Sequence, residues 1–108
     1  MTVVDRVAKG YEWLKANRAD ALPDIDVDSL DVESAWNCPL GQTGEYYDAV
    51  ADAVPNTDGV GIDQLGQARF DWAYAHGFAG GEYGECFSDE TIDDYIALNV
   101  EWRRVLTA

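Results

Sequence analysis

Six residues could do chemistry by type and spacing: Asp24, Asp26 and Asp28, and the trio Cys38, His76 and Cys86. The aspartates alternate within "DIDVDSLDVE", residues 24–33, which places five carboxylates in ten positions without a basic residue. They match the first, third and fifth ligands of a calcium-binding helix–loop–helix. The sixth position, where that loop needs glycine for its sharp turn, is Ser29. The twelfth, which supplies a bidentate glutamate, is Ala35. The stretch is a run of acids, not a calcium loop.

Cys38, His76 and Cys86 could form a zinc site or a Cys–His nucleophilic pair. They lack the close paired spacing of a structural zinc site, and no fourth ligand is evident. His76, directly before Gly77, reads more simply as a C-terminal helix residue that suits the dipole. The cysteines read as small core residues. Carboxylate pairs can serve as acid and base, yet no single pair is marked as buried beside a partner. "AGGEYGE" lacks the strand–loop–helix order and the lysine of a phosphate loop, and no nucleophile elbow is present. No catalytic residue, metal or cofactor is expected.

The charge is informative. Among 108 residues, 21 are Asp or Glu and seven are Lys or Arg, a formal net of −14. Residues 19–102 hold nineteen acids against Arg69 alone, a local net of −18. Nucleic acid and anionic membrane both require a positive surface, so neither is an expected partner. A basic protein is the natural one, and the alternative is that the charge serves solubility alone. The hydrophobic fraction, 47% with four Trp and six Tyr, argues against disorder. One domain, 1–108, is expected at this length. The apolar runs are too short to cross a bilayer, no cleavable signal segment opens the chain, and a cytoplasmic location is expected.

The elements that must position these residues are helices. Over 2–18, Val4, Val7, Ala8, Tyr11 and Leu14 form one stripe, with Thr2 as cap. Gly10 costs this helix about 1 kcal/mol relative to alanine. Trp13 lies off the stripe and either covers a neighbouring segment or serves a partner. Within the acidic connector, Ile25 and Val27 alternate with acids, so a short β element near 25–28 or a tight connector follows. Pro39 starts a helix over 39–54. Leu40, Tyr47, Val50, Ala51 and Val54 share one side of it, and Glu45, Asp48 and Asp52 the other. A helix over 63–76 ends at Gly77, with Phe78 supplying the apolar contact of a left-handed cap. Leu65, Ala68 and Trp72 line one of its faces. Phe70 and Tyr74 line nearly the opposite one, so this helix is sandwiched or presents an aromatic pair. Ser88 caps the last helix, 88–106, whose broad apolar arc includes Ile92, Ile96 and Trp102. Glu90, Asp94 and Glu101 form its solvent stripe. Gly-Glu-Tyr occurs twice, at 44–46 and 81–83, in surroundings that do not align.

"NCPLGQTGEYYDAV", "AYAHGF" and "LNVEWRRVL" carry a resemblance. Through Cys38, Leu40, Gly41, Gln42, Gly77, Phe78 and Trp102, residues 25–106 resemble a group of small uncharacterised proteins encoded by actinobacteria and their phages. The resemblance implies a small accessory protein in a bacterial cytoplasm and brings no activity or catalytic residue.

The expected fold is therefore all-α, a small bundle of about four helices with an acidic connector and at most a short β element. Its core should hold Val7, Leu14, Leu40, Tyr47, Val50, Trp72, Ile92, Ile96 and Trp102. The expected function is non-catalytic: an acidic phage-type protein that binds and modulates a basic host protein, imitating nucleic-acid charge. Glu45, Asp48, Asp52, Asp24, Asp26, Asp28 and Asp31, with Trp13, Phe70 and Tyr74, are the expected partner-binding residues. Helical rows space carboxylates by about 4.5–10 Å, against one charge per about 1.7 Å of duplex DNA. Several rows must then share a face. The alternatives are a virion or assembly component and a small enzyme using a carboxylate or Cys/His site.

Overall fold

Thr2 opens the first helix as a reciprocal cap. Its hydroxyl accepts from the Asp5 amide at 3.1 Å, and the Asp5 carboxylate accepts from the Thr2 amide at 3.3 Å. The computed structural model describes residues 1–84 and 88–108, so Cys86 lies outside the described residues. It contains α1 (Val3–Asn17), a 3₁₀ turn (Leu22–Asp24), α2 (Pro39–Gln42), α3 (Tyr46–Ala53), α4 (Ile62–Ala75) and α5 (Asp89–Leu106). No strand occurs among the described residues. The protein is an all-α small bundle. α1 packs against α5 and α4, α3 against α4, and α2 against α3. The buried core draws on all five helices and on Leu30 and Val32 of the acidic connector.

The turn after α4 is the pivot of this packing. Gly77 has φ +71°, and its amide donates to the Tyr74 carbonyl at 3.1 Å while the Phe78 amide donates to Ala73 at 2.8 Å. These two bonds make a left-handed helix cap, as the sequence predicts. The cap delivers Phe78 into the core, stacked on Trp102 at 5.6 Å. The Trp102 indole donates to the Gly77 carbonyl at 2.7 Å. Gly10 of α1 sits against the same turn. A Cβ there would lie 1.9 Å from the His76 carbonyl oxygen, so only glycine lets the backbones meet. The helix propensity lost at Gly10 is the condition for this contact.

Several expectations fail for identifiable reasons. The helix over 39–54 is two helices. Thr43 donates its hydroxyl to the Pro39 and Leu40 carbonyls at 3.0 Å each, satisfying carbonyls that would otherwise be orphaned at the end of α2. The break resets the helical phase before α3. Tyr47 is therefore 72% exposed rather than core, and Ala49 takes the buried position. On α5, Ile92 and Ile96 are also exposed, while Thr91, Leu98, Glu101 and Trp102 are buried. The cause is Asp94, which turns inward to meet Arg6. At 100° per residue, positions two away point about 200° from it, toward solvent. The predicted solvent stripe Glu90, Asp94 and Glu101 is accordingly lost, since only Glu90 is exposed. In α1 the buried residues are Arg6, Val7, Gly10 and Leu14, whereas Val4 and Ala8 are exposed. Ala68 of α4 is exposed too.

The connector near 25–28 forms turns in place of the β element. With no strand to pair with, its amides find side chains and local carbonyls. The Asp28 amide donates to Asp26 Oδ1 at 3.0 Å, the Glu33 amide to Asp31 Oδ1 at 3.1 Å, and the Val32 amide to Asn99 Oδ1 at 2.7 Å. Short Asp side chains favour such self-bonded turns.

Candidate functional site: acidic and aromatic surface

The buried charge comes first, because it shows which carboxylates are already engaged. Arg6, only 2% exposed, reaches through the junction of α1, α4 and α5. It donates to both Asp94 oxygens at 2.8 and 3.0 Å, to the Tyr74 carbonyl at 2.9 Å and to the Ala79 carbonyl at 2.8 Å. Its guanidinium also lies 3.6 Å from the centre of the Tyr74 ring. Burial works to raise the Asp94 carboxyl, but hydrogen bonds from Arg6 and the Gly81 amide, with the Arg6 charge, outweigh it. The carboxyl is held below its usual range. The hydrogen-bonding groups of this centre are satisfied, although Asp94 also lines an open cavity of about 470 Å³ with Tyr74, Glu82 and Glu90.

Two other ion pairs occur among the described residues, Lys15–Glu12 and Arg104–Glu101. The remaining three arginines are occupied by carbonyls: Arg18 donates to Asn17 at 3.1 Å, Arg69 to Val54 at 3.0 Å, and Arg103 to Leu30 at 2.8 Å. Asp24, Asp26, Asp28, Glu45, Asp48 and Asp52 are all exposed, and none pairs with a cation among the described residues. Asp31 is half-buried. Gln42 joins the two acidic segments. Its Oε1 accepts from the Asp26 amide at 2.7 Å and its Nε2 donates to the Asp26 carbonyl at 3.1 Å. The acidic connector is thereby pinned to α2, three residues before Glu45. Arg18 lies against Gly44, so the α3 row begins beside a cation that it does not pair with.

The three aromatic candidates are less free. Trp13 is half-buried, edge-on to Trp72 at 5.4 Å and to Phe78 at 6.2 Å, so it covers the core. Phe70 and Tyr74 are partly buried 6.1 Å apart, with Tyr83 packed 5.7 Å from Phe70. α4 is sandwiched. Sequence reasoning did not place Tyr46, Tyr47 and Tyr83 together with Phe70, yet they line one cavity of about 270 Å³ between α3 and α4. The signal was there: the two Gly-Glu-Tyr tripeptides supply Tyr46 and Tyr83, one to each side. Tyr83 is seated over Gly66, where a Cβ would come within 2.3 Å of its hydroxyl. Burial pushes the Tyr46 phenol above its ordinary value.

The cysteine and histidine are occupied structurally. Cys38 caps α2, its Sγ accepting from the Gly41 amide at 3.2 Å, and burial raises its thiol to about 11. A thiol so rarely ionised is a poor nucleophile. His76 stacks on Trp72 at 4.3 Å, and its Nδ1 donates to the Trp72 carbonyl at 2.7 Å. Burial lowers its pKa, so it stands at the helix end as a neutral ring. The expected favourable charge on the helix dipole is absent for that reason. No group of three or more His, Cys, Asp or Glu side chains converges as a metal site would among the described residues. No helix among them is long and apolar enough to cross a membrane.

These features define the class: an all-α bundle with a paired buried charge and an acidic, aromatic exterior. No family model, curated protein or solved structure matches the chain.

Proposed function

We propose that the chain is a non-catalytic protein that binds and modulates a basic protein partner, its acidic surface standing in for nucleic-acid charge. The observation that carries this reading is the division of charge. Of the seven basic side chains, all but Lys9 are engaged by the core, by carbonyls or by neighbouring acids, and seven exposed carboxylates from 24 to 52 pair with no cation among the described residues. Glu45, Asp48 and Asp52 follow three- and four-residue steps, about 4.5–6 Å along the helix axis. That row alone is sparser than duplex DNA, with one charge per about 1.7 Å. The Gln42 bonds support a denser field by tethering the connector's acids beside it. The resemblance adds a phage-type accessory role in a bacterial cytoplasm.

Competition at moderate salt is the test. Wild-type protein should displace duplex DNA from its basic partner. Replacing Glu45, Asp48 and Asp52 by Gln, Asn and Asn should weaken displacement while leaving the fold intact. Unchanged displacement by the triple variant, or binding indifferent to salt, would overturn the proposal.

A further inference from the structure

The acids do not stand alone on this side of the molecule. A small cleft lined by Trp36, Glu45, Tyr46 and Tyr47 shares the two tyrosines with the cavity between α3 and α4. That cavity in turn shares Phe70 and Tyr83 with one of about 440 Å³, whose walls include Asp71, Tyr74 and Glu82. Shared walls set the three side by side, as the successive parts of one candidate groove. Trp36 is 79% exposed, Tyr47 72% and Tyr83 50%, a large aromatic area for a chain so rich in charge. The groove's two ends are chemically alike. Each carries a glutamate followed by a tyrosine, Glu45–Tyr46 and Glu82–Tyr83, from the two Gly-Glu-Tyr tripeptides.

We infer that this groove docks an extended basic segment of a protein partner, with a cationic side chain against each Glu–Tyr end and an uncharged one between. The inference rests on the basic-partner reading and gives it a place. A carboxylate beside an aromatic face suits a guanidinium or ammonium group twice over, by charge and by the ring's quadrupole. The middle of the groove is different. Val50 and Phe70 line it, and Arg69, held there by the Val54 carbonyl, would repel a second cation. An apolar side chain fits that position. Arg6 does not compete at the Tyr74 end, because Asp94 already neutralises it.

The probe is a synthetic peptide of Arg-Leu-Arg-Gly repeats, with a control in which citrulline replaces every arginine. Citrulline keeps the shape and removes the charge. Binding to the full chain is followed by the fluorescence of exposed Trp36. The arginine peptide should bind and the citrulline peptide should not. Tyr47→Ala and Tyr83→Ala should each weaken binding about threefold, the size of an exposed cation–π contact. Glu82→Gln should act in the same direction. Should Tyr83→Ala disturb the fold, Trp36→Ala and Tyr47→Ala, both at exposed positions, carry the test, read by calorimetry. Equal binding of the citrulline peptide overturns the inference. So does unchanged binding by the aromatic variants when Asp48→Asn with Asp52→Asn weakens it, an outcome that leaves the acidic-surface reading standing. If the arginine peptide does not bind and wild-type protein does not displace DNA, both readings fall.

Discussion

Where α1, α4 and α5 meet, the guanidinium of Arg6 holds the carboxylate of Asp94 in two hydrogen bonds, whereas on α3 the carboxylates of Asp48 and Asp52 meet no cation. The side chains are the same. Their surroundings are not. Burying an ion costs several kcal/mol unless a partner and further hydrogen bonds repay it. Arg6 therefore comes with a full set of acceptors, and no buried side-chain nitrogen or oxygen lacks a partner among the described residues. On the surface, water solvates a carboxylate and no such demand exists. A charge with no structural demand on it is available for another molecule.

Removing one half of the buried pair should have the largest effect. Arg6→Ala leaves Asp94 facing orphaned carbonyls and should cost about 3–5 kcal/mol in chemical denaturation. Replacing both, Arg6→Met with Asp94→Leu, should recover much of that loss. If Arg6→Ala unfolds at the wild-type midpoint, the centre is not what holds α1 to α5. Gly10→Ala comes next, at about 1–3 kcal/mol or more, because the added methyl meets the His76 carbonyl. Thermal unfolding measures it.

Acid should dismantle the interior in two stages. The folded pKa of His76 lies below the ordinary 6.5, so the unfolded chain binds the proton first. Stability is complete above that value and declines as pH falls through it. The folded pKa of Asp94 lies below 3.8, so its contribution survives to there and is lost as pH falls further. Denaturation midpoints followed from neutral to strongly acid pH should show both stages. His76→Phe should abolish the first and Asp94→Asn the second. The smallest effect belongs to the acidic face: Glu45→Gln, Asp48→Asn and Asp52→Asn together should shift stability by no more than about 0.5 kcal/mol per site. A large loss there would erase the contrast with Asp94.

Much of the helical frame was legible because its signals are local. Thr2 and Ser88 cap their helices, Pro39 starts one and Gly77 ends one, each through groups within a few residues. The helix over 39–54 misled because Thr43 turns its hydroxyl onto its own helix, an alternative that helical periodicity does not register. The exposure of Glu45, Asp48 and Asp52 follows the sequence pattern, but they do not share the body of one helix: Glu45 is the N-cap of α3 and Asp48 lies in its first turn, where the helix dipole favours an acid. The aromatic half of the groove does not follow from that pattern.

Legible from the sequence alone were the starts of α1, α2 and α5, the end of α4, which residues are acidic and how few cations could answer them. Capping, turn formation and charge balance act over a few residues or need no geometry at all. Packing across the bundle set the inward face of α5 and of α3. Arg6, placed by α1, draws Asp94 inward from 88 residues away and sends Ile92 and Ile96 to the surface. The same packing brings Tyr46 and Tyr83 to one cavity. The reason is that a buried ion must be answered wherever its partner lies, and neither that demand nor the meeting of two distant tyrosines has any period along the chain.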